Sequence, residues 1–208
     1  MFRKVLIANR GEIAVRISQT LQQMGVTAVA VYSEPDRGAL HVASADEAYP
    51  LDGSTSAETY LRIDKIIDVA RRHGVDAIHP GFGFLSENED FAQTCQDAGI
   101  TFVGPSPAVI RDMGDKIIAK EKFAAAGVPV VPGATFSAVE EPRTSVRAAI
   151  DTVRIRAAEI GYPILVKAAA GGGGKGMRVV KSETELGDAI DSARREAGAA
   201  FGDPRVFI

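Results

Sequence analysis

Short apolar runs alternate with amphipathic segments through the first half of the chain. Four runs predict buried strands: KVLIA (4–8), TAVAVY (27–32), DAIHP (76–80) and TFVGP (101–105). Apolar residues at helical spacing between them predict helices, with Ile13, Ile17 and Leu21 on one face of the first. Ile63, Ile66 and Ile67 mark a second helix, and a third is predicted from about Asn88 to Ala98. Continuous apolar strands separated by such helices indicate an α/β fold with a doubly wound parallel sheet.

Two short patterns predict how helices begin in this half. Asn9 with Glu12, and Thr55 with Glu58, have the spacing of a capping box, in which side chains three residues apart accept free backbone amides. Asn9 is therefore predicted to cap the first helix.

The second half has a different pattern. Residues 114–127 predict a helix that ends at Gly127, and a further helix is predicted from about residue 145 to Ile160. PILVKA (163–168) and MRVVK (177–181) predict the strands of a hairpin, followed by a helix capped by Ser182 and Glu185. We place the boundary so that residues 1–113 form one domain and residues 114–208 the next.

Composition narrows the class of protein and its compartment. A net charge of −3 with 25% charged residues argues against a general nucleic-acid or membrane-surface binder. The single cysteine, Cys95, excludes an intrachain disulfide and predicts a reducing compartment. We find no apolar run of the length that a signal peptide or a membrane span requires, and we expect a cytoplasmic protein, or a mitochondrial-matrix protein in a eukaryote.

The glycine run between the two hairpin strands is a candidate phosphate-binding loop. Glycines at Gly171, Gly172, Gly173, Gly174 and Gly176 allow backbone amides to approach phosphate oxygens. The loop is not a Walker A motif, because Lys175 is followed by Gly176 and a strand rather than by Ser or Thr and a helix. It is not a dinucleotide fingerprint either, because it does not join a strand to a helix. A flap over phosphates and an exposed hairpin tip both remain open.

Lys167 precedes this loop and Lys175 lies within it, while Lys116 begins a helix earlier in the chain. Lys167 ends an apolar strand, so that its ammonium must reach solvent or meet an anion. Lys116 begins a helix, where the helix dipole favours an anion, and this misfit favours a ligand role. Lys175, on the loop itself, is compatible with a ligand contact or with plain solvation.

HPGFGFLSEN (79–88) follows a predicted strand at the edge where doubly wound sheets bind ligands. His79, Gly83 and Glu87 are therefore predicted to form part of an active-site wall. His79 is equally compatible with a hydrogen-bonded core histidine, and Gly83 with a tight turn. Phe82, with Phe84 and Leu85, is interpreted as core.

Several motifs occur in an order that resembles the biotin carboxylase family. They are VLIANRGEIAVRI, HPGFGFLSEN, FVGPS, MGDKIIAK, GVPVVPG and GYPILVKAAAGGGGKGMRVV, and the resemblance runs from Phe2 to Ile208. It implies a Rossmann-like domain in residues 1–113, followed by the first part of an ATP-grasp domain with its glycine-rich lid. It also implies that Lys116 and Lys167 contact ATP, with the lid extending from Gly171 to Met177.

The resemblance implies an activity and its partners. The expected reaction is ATP-dependent carboxylation of biotin with bicarbonate, through carboxyphosphate and with Mg²⁺. The expected partners are a biotinylated carrier protein, a carboxyltransferase and a second copy of the chain. Two alternatives stay open: another ATP-grasp ligase, such as carbamoyl-phosphate synthetase, and a non-catalytic assembly module, which nucleotide titration would separate from an enzyme.

Three departures from the family pattern qualify these expectations. Ala169 and Ala170 stand where the family often has serine and a fifth glycine, and Phe82 stands where it often has tyrosine. In the family, the magnesium-binding glutamates and the bicarbonate base follow the position of Ile208. We therefore expect no catalytic residue and no metal ligand within this chain, and we expect the chain to be inactive by itself.

Overall fold

The computed structural model describes residues 1–136, 146–170 and 176–208, leaving aside the side chains of residues 146–149. The chain forms two compact units, Met1–Arg111 and Asp112–Ile208. None of the helices in the described part combines the length and apolarity of a membrane span.

The first unit is an α/β unit with a parallel sheet. Its elements are β1 (Lys4–Ile7), α1 (Gly11–Gln23), β2 (Thr27–Tyr32), a short 3₁₀ helix (Glu34–Asp36), α2 (Leu40–Ser44), β3 (Glu47–Pro50), α3 (Ile63–Arg72), β4 (Ala77–His79), α4 (Glu89–Asp97) and β5 (Thr101–Phe102). The strand order is β3-β2-β1-β4-β5, with every pairing parallel. The doubly wound parallel sheet expected from the sequence is confirmed.

Burial explains why the apolar runs become strands. Five of the six residues of β2 are buried, as expected for a strand covered on both faces. Leu6 and Ile78, in neighbouring strands, have no exposed surface, and Ile66 of α3 packs against the same cluster. Cys95 lies inside this core, and burial raises the pKa of its thiol to about 12.

The capping prediction for Asn9 is wrong. Helix α1 begins at Gly11, its N-cap residue is Arg10, and no side chain caps it. The amide of Asn9 donates instead to Pro80 O and Phe82 O, more than 70 residues away. Its Oδ1, the atom that a cap would use, accepts from the Arg10 amide at 2.9 Å and from no amide of the first helical turn.

The Thr55–Glu58 capping box forms, but no helix follows it directly. Glu58 Oε2 accepts from the Thr55 amide at 2.9 Å, and the Glu58 amide donates to Thr55 Oγ1 at 3.3 Å. Helix α3 begins only at Ile63. In between, the buried Tyr60 donates to Asp36 Oδ2, which draws the chain out of a helical path.

The second unit packs two helices, α7 and α8, against an antiparallel sheet. Its elements are α6 (Lys116–Ala125), β6 (Thr135–Phe136), α7 (Val146–Ile160), β7 (Ile164–Ala168), β8 (Arg178–Val180), α8 (Glu183–Phe201) and β9 (Val206–Phe207), and α5 (Pro107–Gly114) precedes them. The strand order is β6-β9-β7-β8. Val166 of β7 packs with Leu186 and Ile190 of α8 in one buried cluster.

The hairpin predicted in this half is confirmed by antiparallel pairing of β7 with β8, with Leu165 opposite Val179. The Ser182–Glu185 cap is only half formed. Glu185 Oε2 accepts from the Lys181 amide at 2.9 Å, whereas the Ser182 hydroxyl interacts with Thr184 Oγ1 and caps nothing. Strand β6 falls in a stretch for which the sequence predicts no element.

Candidate functional site

A pocket of about 600 Å³ lies in the second unit. Its walls are mostly apolar and come from α6, from the segment 130–132 and from strands β7 and β9. Three lysines line it: Lys116, Lys120 and Lys167. Among the described lining residues there is no Asp or Glu, so the pocket is suited to an anion with an apolar part.

Strand alternation places Lys167 in this pocket. Along β7, Ile164, Val166 and Ala168 are buried in the core, so the side chains between them emerge on the other face. Lys167 pairs in register with Phe207 of β9, and its ammonium lies 5.8 Å from the centroid of the Phe207 ring. A cation–π interaction with this ring helps to hold the ammonium in the pocket.

Lys116 reaches the same pocket from the start of α6. The carboxylate of Asp115 caps this helix, accepting from the Ile117 and Ile118 amides at 2.9 and 3.1 Å, and also accepts from Arg205 at 2.7 Å. Lys116 Nζ donates to Ala169 O at 3.4 Å, just beyond the end of β7. The cap and this contact set the helix start beside β7.

The two lysines affect one another electrostatically. Burial lowers the pKa of Lys116 below its ordinary value, and the positive charge of Lys167 lowers it further, against the opposing effect of Asp115. An anion bound between the two ammonium groups would relieve this repulsion.

Lys120 is a third cation that the sequence reasoning missed. It lies one helical turn after Lys116 on the same face of α6, and burial lowers the pKa of its ammonium. It makes no hydrogen bond or ion pair within the described ranges. Gly133 adjoins it, since a Cβ there would overlap the Lys120 ammonium and the Ile208 carbonyl. The four-residue spacing from Lys116 was the signal available in the sequence.

Most of the predicted glycine lid lies outside the described residues. This applies to Gly171, Gly172, Gly173, Gly174 and Lys175. Gly176 has φ +71°, and a Cβ there would lie 3.1 Å from that of Ala168. Met177 is 42% exposed. The ATP contacts assigned to this segment stay predictions.

In the first unit, His79, Gly83 and Glu87 lie in and next to the loop that follows β4, residues 80–88, here named the β4 loop. His79 Nδ1 accepts from the Gly81 amide at 3.0 Å, and burial lowers the pKa of the imidazole. Gly83 has φ +71°, and Glu87 is exposed. Their assignment to an active-site wall stays a prediction.

The interpretation of Phe82 as a core residue is wrong. Its side chain is 77% exposed, whereas Leu85 is buried and Phe84 packs against the core. The turn at Gly81, with φ +70°, and the bond from the Asn9 amide to Phe82 O direct this side chain outward.

Metal ligands do not converge in the described ranges. No group of three or more His, Cys, Asp or Glu side chains there could hold a metal ion.

The doubly wound unit and the lysine-lined pocket define an α/β protein with a candidate site for an anionic ligand. The chain belongs to the family described as "Biotin carboxylase, N-terminal domain", whose model matches residues 1–110. Residues 115–208 match "Carbamoyl-phosphate synthase L chain, ATP binding domain". The resemblance noted from the sequence motifs is confirmed.

Relatives match the chain over its whole length. Biotin carboxylase 1 of Bacillus subtilis is 49% identical over 208 residues, which are 100% of this chain and 44% of that protein. The mitochondrial methylcrotonoyl-CoA carboxylase subunit alpha of Oryza sativa is 51% identical over 99% of this chain and 27% of its own length. The chain thus spans less than half the length of these relatives.

Solved structures of similar sequence share the fold. A biotin carboxylase–β-γ-ATP complex from Campylobacter jejuni has a TM-score of 0.87 at 44% identity, covering 100% of this chain and 44% of that one. The biotin carboxylase domain dimer of Hydrogenobacter thermophilus 2-oxoglutarate carboxylase, solved with MgADP, ADP and bicarbonate, has a TM-score of 0.83 at 46% identity, covering 100% and 44%.

Proposed function

We propose that this chain forms part of the ATP site of a biotin carboxylase, and that the natural protein carrying it carboxylates biotin with bicarbonate and ATP. The observation that carries the proposal is the pocket of the second unit, where three lysines and no described acidic residue line an apolar cavity. Solved relatives with ATP-type ligands support it.

The chain's own residues would bind and orient the nucleotide. The ammonium groups of Lys116 and Lys167 would donate charge-assisted hydrogen bonds to phosphate oxygens. Leu165 and Phe207, beside Lys167 in the pocket wall, offer apolar surface to a purine ring. Lys120, one turn along α6, would add positive charge at the pocket edge. Residues 171–177 would complete the site as its lid.

The magnesium ion that the family implies finds no fitting donor set here. No group of three or more His, Cys, Asp or Glu side chains among the described residues could hold it. When bound, magnesium would neutralise charge on the phosphates during phosphoryl transfer to bicarbonate. We propose no catalytic residue among those of this chain.

The first unit favours biotin carboxylase over carbamoyl-phosphate synthetase as the proposed function. The second unit alone matches the carbamoyl-phosphate synthase ATP-binding description, whereas residues 1–110 match the biotin carboxylase domain. The further partners proposed are a biotinylated carrier, a carboxyltransferase and a second copy of the chain. We propose the cytoplasm or the mitochondrial matrix as the compartment; a relative in rice is mitochondrial.

Lys167→Ala tests the proposed site. In the natural protein carrying this sequence, the change is expected to weaken ATP binding about tenfold to a hundredfold, through the loss of one charge-assisted contact. Calorimetric titration with ATP measures the effect. The matched control is Lys181→Ala, which removes an exposed lysine just after β8 and is expected to change the affinity less than twofold, about the limit for a screened surface charge. Unchanged affinity in Lys167→Ala would reject the site.

ATP affinity is expected to fall at alkaline pH earlier than an ordinary lysine would predict. The pKa of Lys116 is lowered by burial and by Lys167, and only its protonated form donates to phosphate. Binding is therefore complete at neutral pH and declines as pH rises through this lowered pKa. Titrations across alkaline pH measure the decline, and Lys116→Arg should move it to higher pH, because guanidinium stays protonated. A decline at the same pH in both proteins would exclude Lys116 as its source.

A further inference from the structure

We propose that Asn9 is a positioning residue that fixes the β4 loop in the conformation in which it meets the carboxyl acceptor, biotin. The inference deepens the proposed function and rests on it. It assigns to Asn9, at the end of β1, control of a loop that follows β4 and carries the exposed Phe82.

The first support is the use of both amide hydrogens of Asn9. Its side chain is buried, and Nδ2 donates to Pro80 O and to Phe82 O, both at 2.9 Å. Its Oδ1 accepts from the Arg10 amide at 2.9 Å. Because the two donated bonds hold carbonyls on either side of Gly81, the loop path is fixed by this one side chain.

The second support is the fit between Asn9 and Gly81. Gly81 has φ +70°, and a Cβ built on it would lie 2.7 Å from Asn9 Nδ2. The Gly81 amide meanwhile donates to His79 Nδ1 at 3.0 Å. The chain thus wraps closely around the Asn9 amide, and both the glycine and the asparagine are needed for this path.

The far end of the loop is also held in an unusual conformation. Phe84 has φ +44°, which non-glycine residues rarely adopt, and its ring stacks on Tyr60 with centroids 5.1 Å apart. Leu85 is buried in the core. Such strain persists only where the surrounding structure imposes it, and it concentrates at ligand sites. Between the two anchors, Phe82 is 77% exposed.

The position in the sheet indicates which side of the loop is available to a ligand. Strands β1 and β4 are neighbours, and the chain leaves them toward opposite sides of the sheet, which creates the crevice where doubly wound sheets bind ligands. The Asn9 amide bridges the ends of these two strands, because it follows β1 and donates to carbonyls that follow β4. A ligand would therefore meet the outer surface of the loop, at Phe82.

The chemistry of that surface favours biotin over the anionic substrates. Phe82 lines a mostly apolar cavity with Ile13, Ile17 and Val103, and the charged residues in its lining, Glu12 and Arg16, are of opposite sign. A neutral bicyclic ring suits such a surface better than an anion does. The lysines proposed to bind ATP belong to the second unit, so a change at Asn9 should leave ATP binding intact.

Asn9→Asp is the decisive variant, because aspartate keeps the shape and the acceptor but cannot donate to Pro80 O or Phe82 O. In the natural protein, kcat/KM for free biotin is expected to fall about tenfold or more, the order of one lost positioning contact. The KM for ATP should stay within about twofold, as for an untouched site. Faster hydrogen exchange at the Gly81–Phe84 amides should accompany the fall.

Two further variants separate positioning from plain destabilisation. Ser18→Ala removes another buried polar side chain of the first unit, which donates to Ser44 O, and should leave both constants unchanged. Gly81→Ala should repeat the biotin defect, and adding Asn9→Ala to it should worsen the defect little, since both changes disrupt one contact.

Three results would overturn the inference. The first is an unchanged kcat/KM for biotin in Asn9→Asp, and the second is an equal loss of kcat/KM for biotin and for ATP in that variant. The third is a fall in kcat/KM for biotin in Ser18→Ala that is in proportion to the fall in its melting temperature. Failure of the proposed function itself is distinguishable, because it would appear as unchanged ATP binding in Lys167→Ala whatever the exchange rates of the β4 loop.

Discussion

Replacing Asp36 by alanine is expected to lower the free energy of unfolding of the protein by about 2–4 kcal/mol at pH 7. The Asp36 side chain is only 8% exposed, and it pairs with the guanidinium of Arg10. It also accepts from Tyr60 OH at 2.7 Å and Ser33 Oγ at 2.9 Å. Its removal leaves these donors without their acceptor in a buried place, while half-exposed Arg10 regains some solvation and limits the loss.

The sign of the pH dependence follows from the pKa of Asp36. Burial raises this pKa, but hydrogen bonds from Arg10, Tyr60 and Ser33 more than offset burial and hold it below the ordinary value. A lowered folded-state pKa stabilises the protein above the unfolded-state pKa, and the stabilisation is lost as pH falls through the folded-state pKa. The difference between the parent and Asp36→Ala should therefore shrink in acid.

Urea unfolding at neutral and acidic pH measures both effects. The control is Asp64→Ala, which breaks an ion pair with Arg62 whose side chains are 63% and 49% exposed. Exposed pairs contribute about 0–1 kcal/mol, so this control should be nearly neutral. A loss below about 1 kcal/mol for Asp36→Ala, no larger than for such a surface pair, would contradict the role of the buried cluster.

The central strands of the parallel sheet could be predicted because burial on both faces leaves a continuous apolar run. The edge strand β3 could not, since Glu47 is half-buried and Pro50 is exposed. What holds β3 is its register with Val29–Tyr32 and an ion pair of Lys4 with Glu47 at 2.7 Å. Both depend on residues far along the chain, which a local pattern does not reveal.

The sequence predicts those residues of the candidate site whose charge is unfavourable in its local secondary structure. Lys116 at a helix start and Lys167 in an apolar strand both showed this conflict, and the structure brings them to one pocket. Lys120 was missed because its importance depends on which face of α6 borders the pocket. Asn9 does not cap α1, because its Nδ2 donates to Pro80 O and Phe82 O after another strand while its Oδ1 accepts from the Arg10 amide. A local capping motif does not reveal these partners, because they lie more than 70 residues away in the sequence.

Removing Lys116 and Lys167 together is expected to lower ATP affinity by about a hundredfold to ten-thousandfold, since each charge-assisted contact contributes about 1.5–3 kcal/mol. The double variant should lose more than the two single losses combined. With one lysine gone, the repulsion that lowers the pKa of Lys116 disappears, and the remaining flexible ammonium can shift toward the centre of the phosphates. That compensation is impossible once both are absent, so a double-mutant cycle should give a coupling energy of about 0.5 kcal/mol or more.

The control for the double variant removes two lysines at exposed positions of the same unit. Lys122→Ala with Lys181→Ala changes the net charge by the same amount, and Lys122 is 57% exposed in a surface ion pair with Asp112. Screening at physiological salt, with a Debye length of about 8 Å, limits the expected effect to a few-fold. Competition of a fluorescent ATP analogue, read at two salt concentrations, compares the two double variants. Equal losses in both would mean that the general positive field of the unit attracts ATP and that the pocket lysines make no specific contact; a loss confined to Lys116 and Lys167 would locate the phosphates between them.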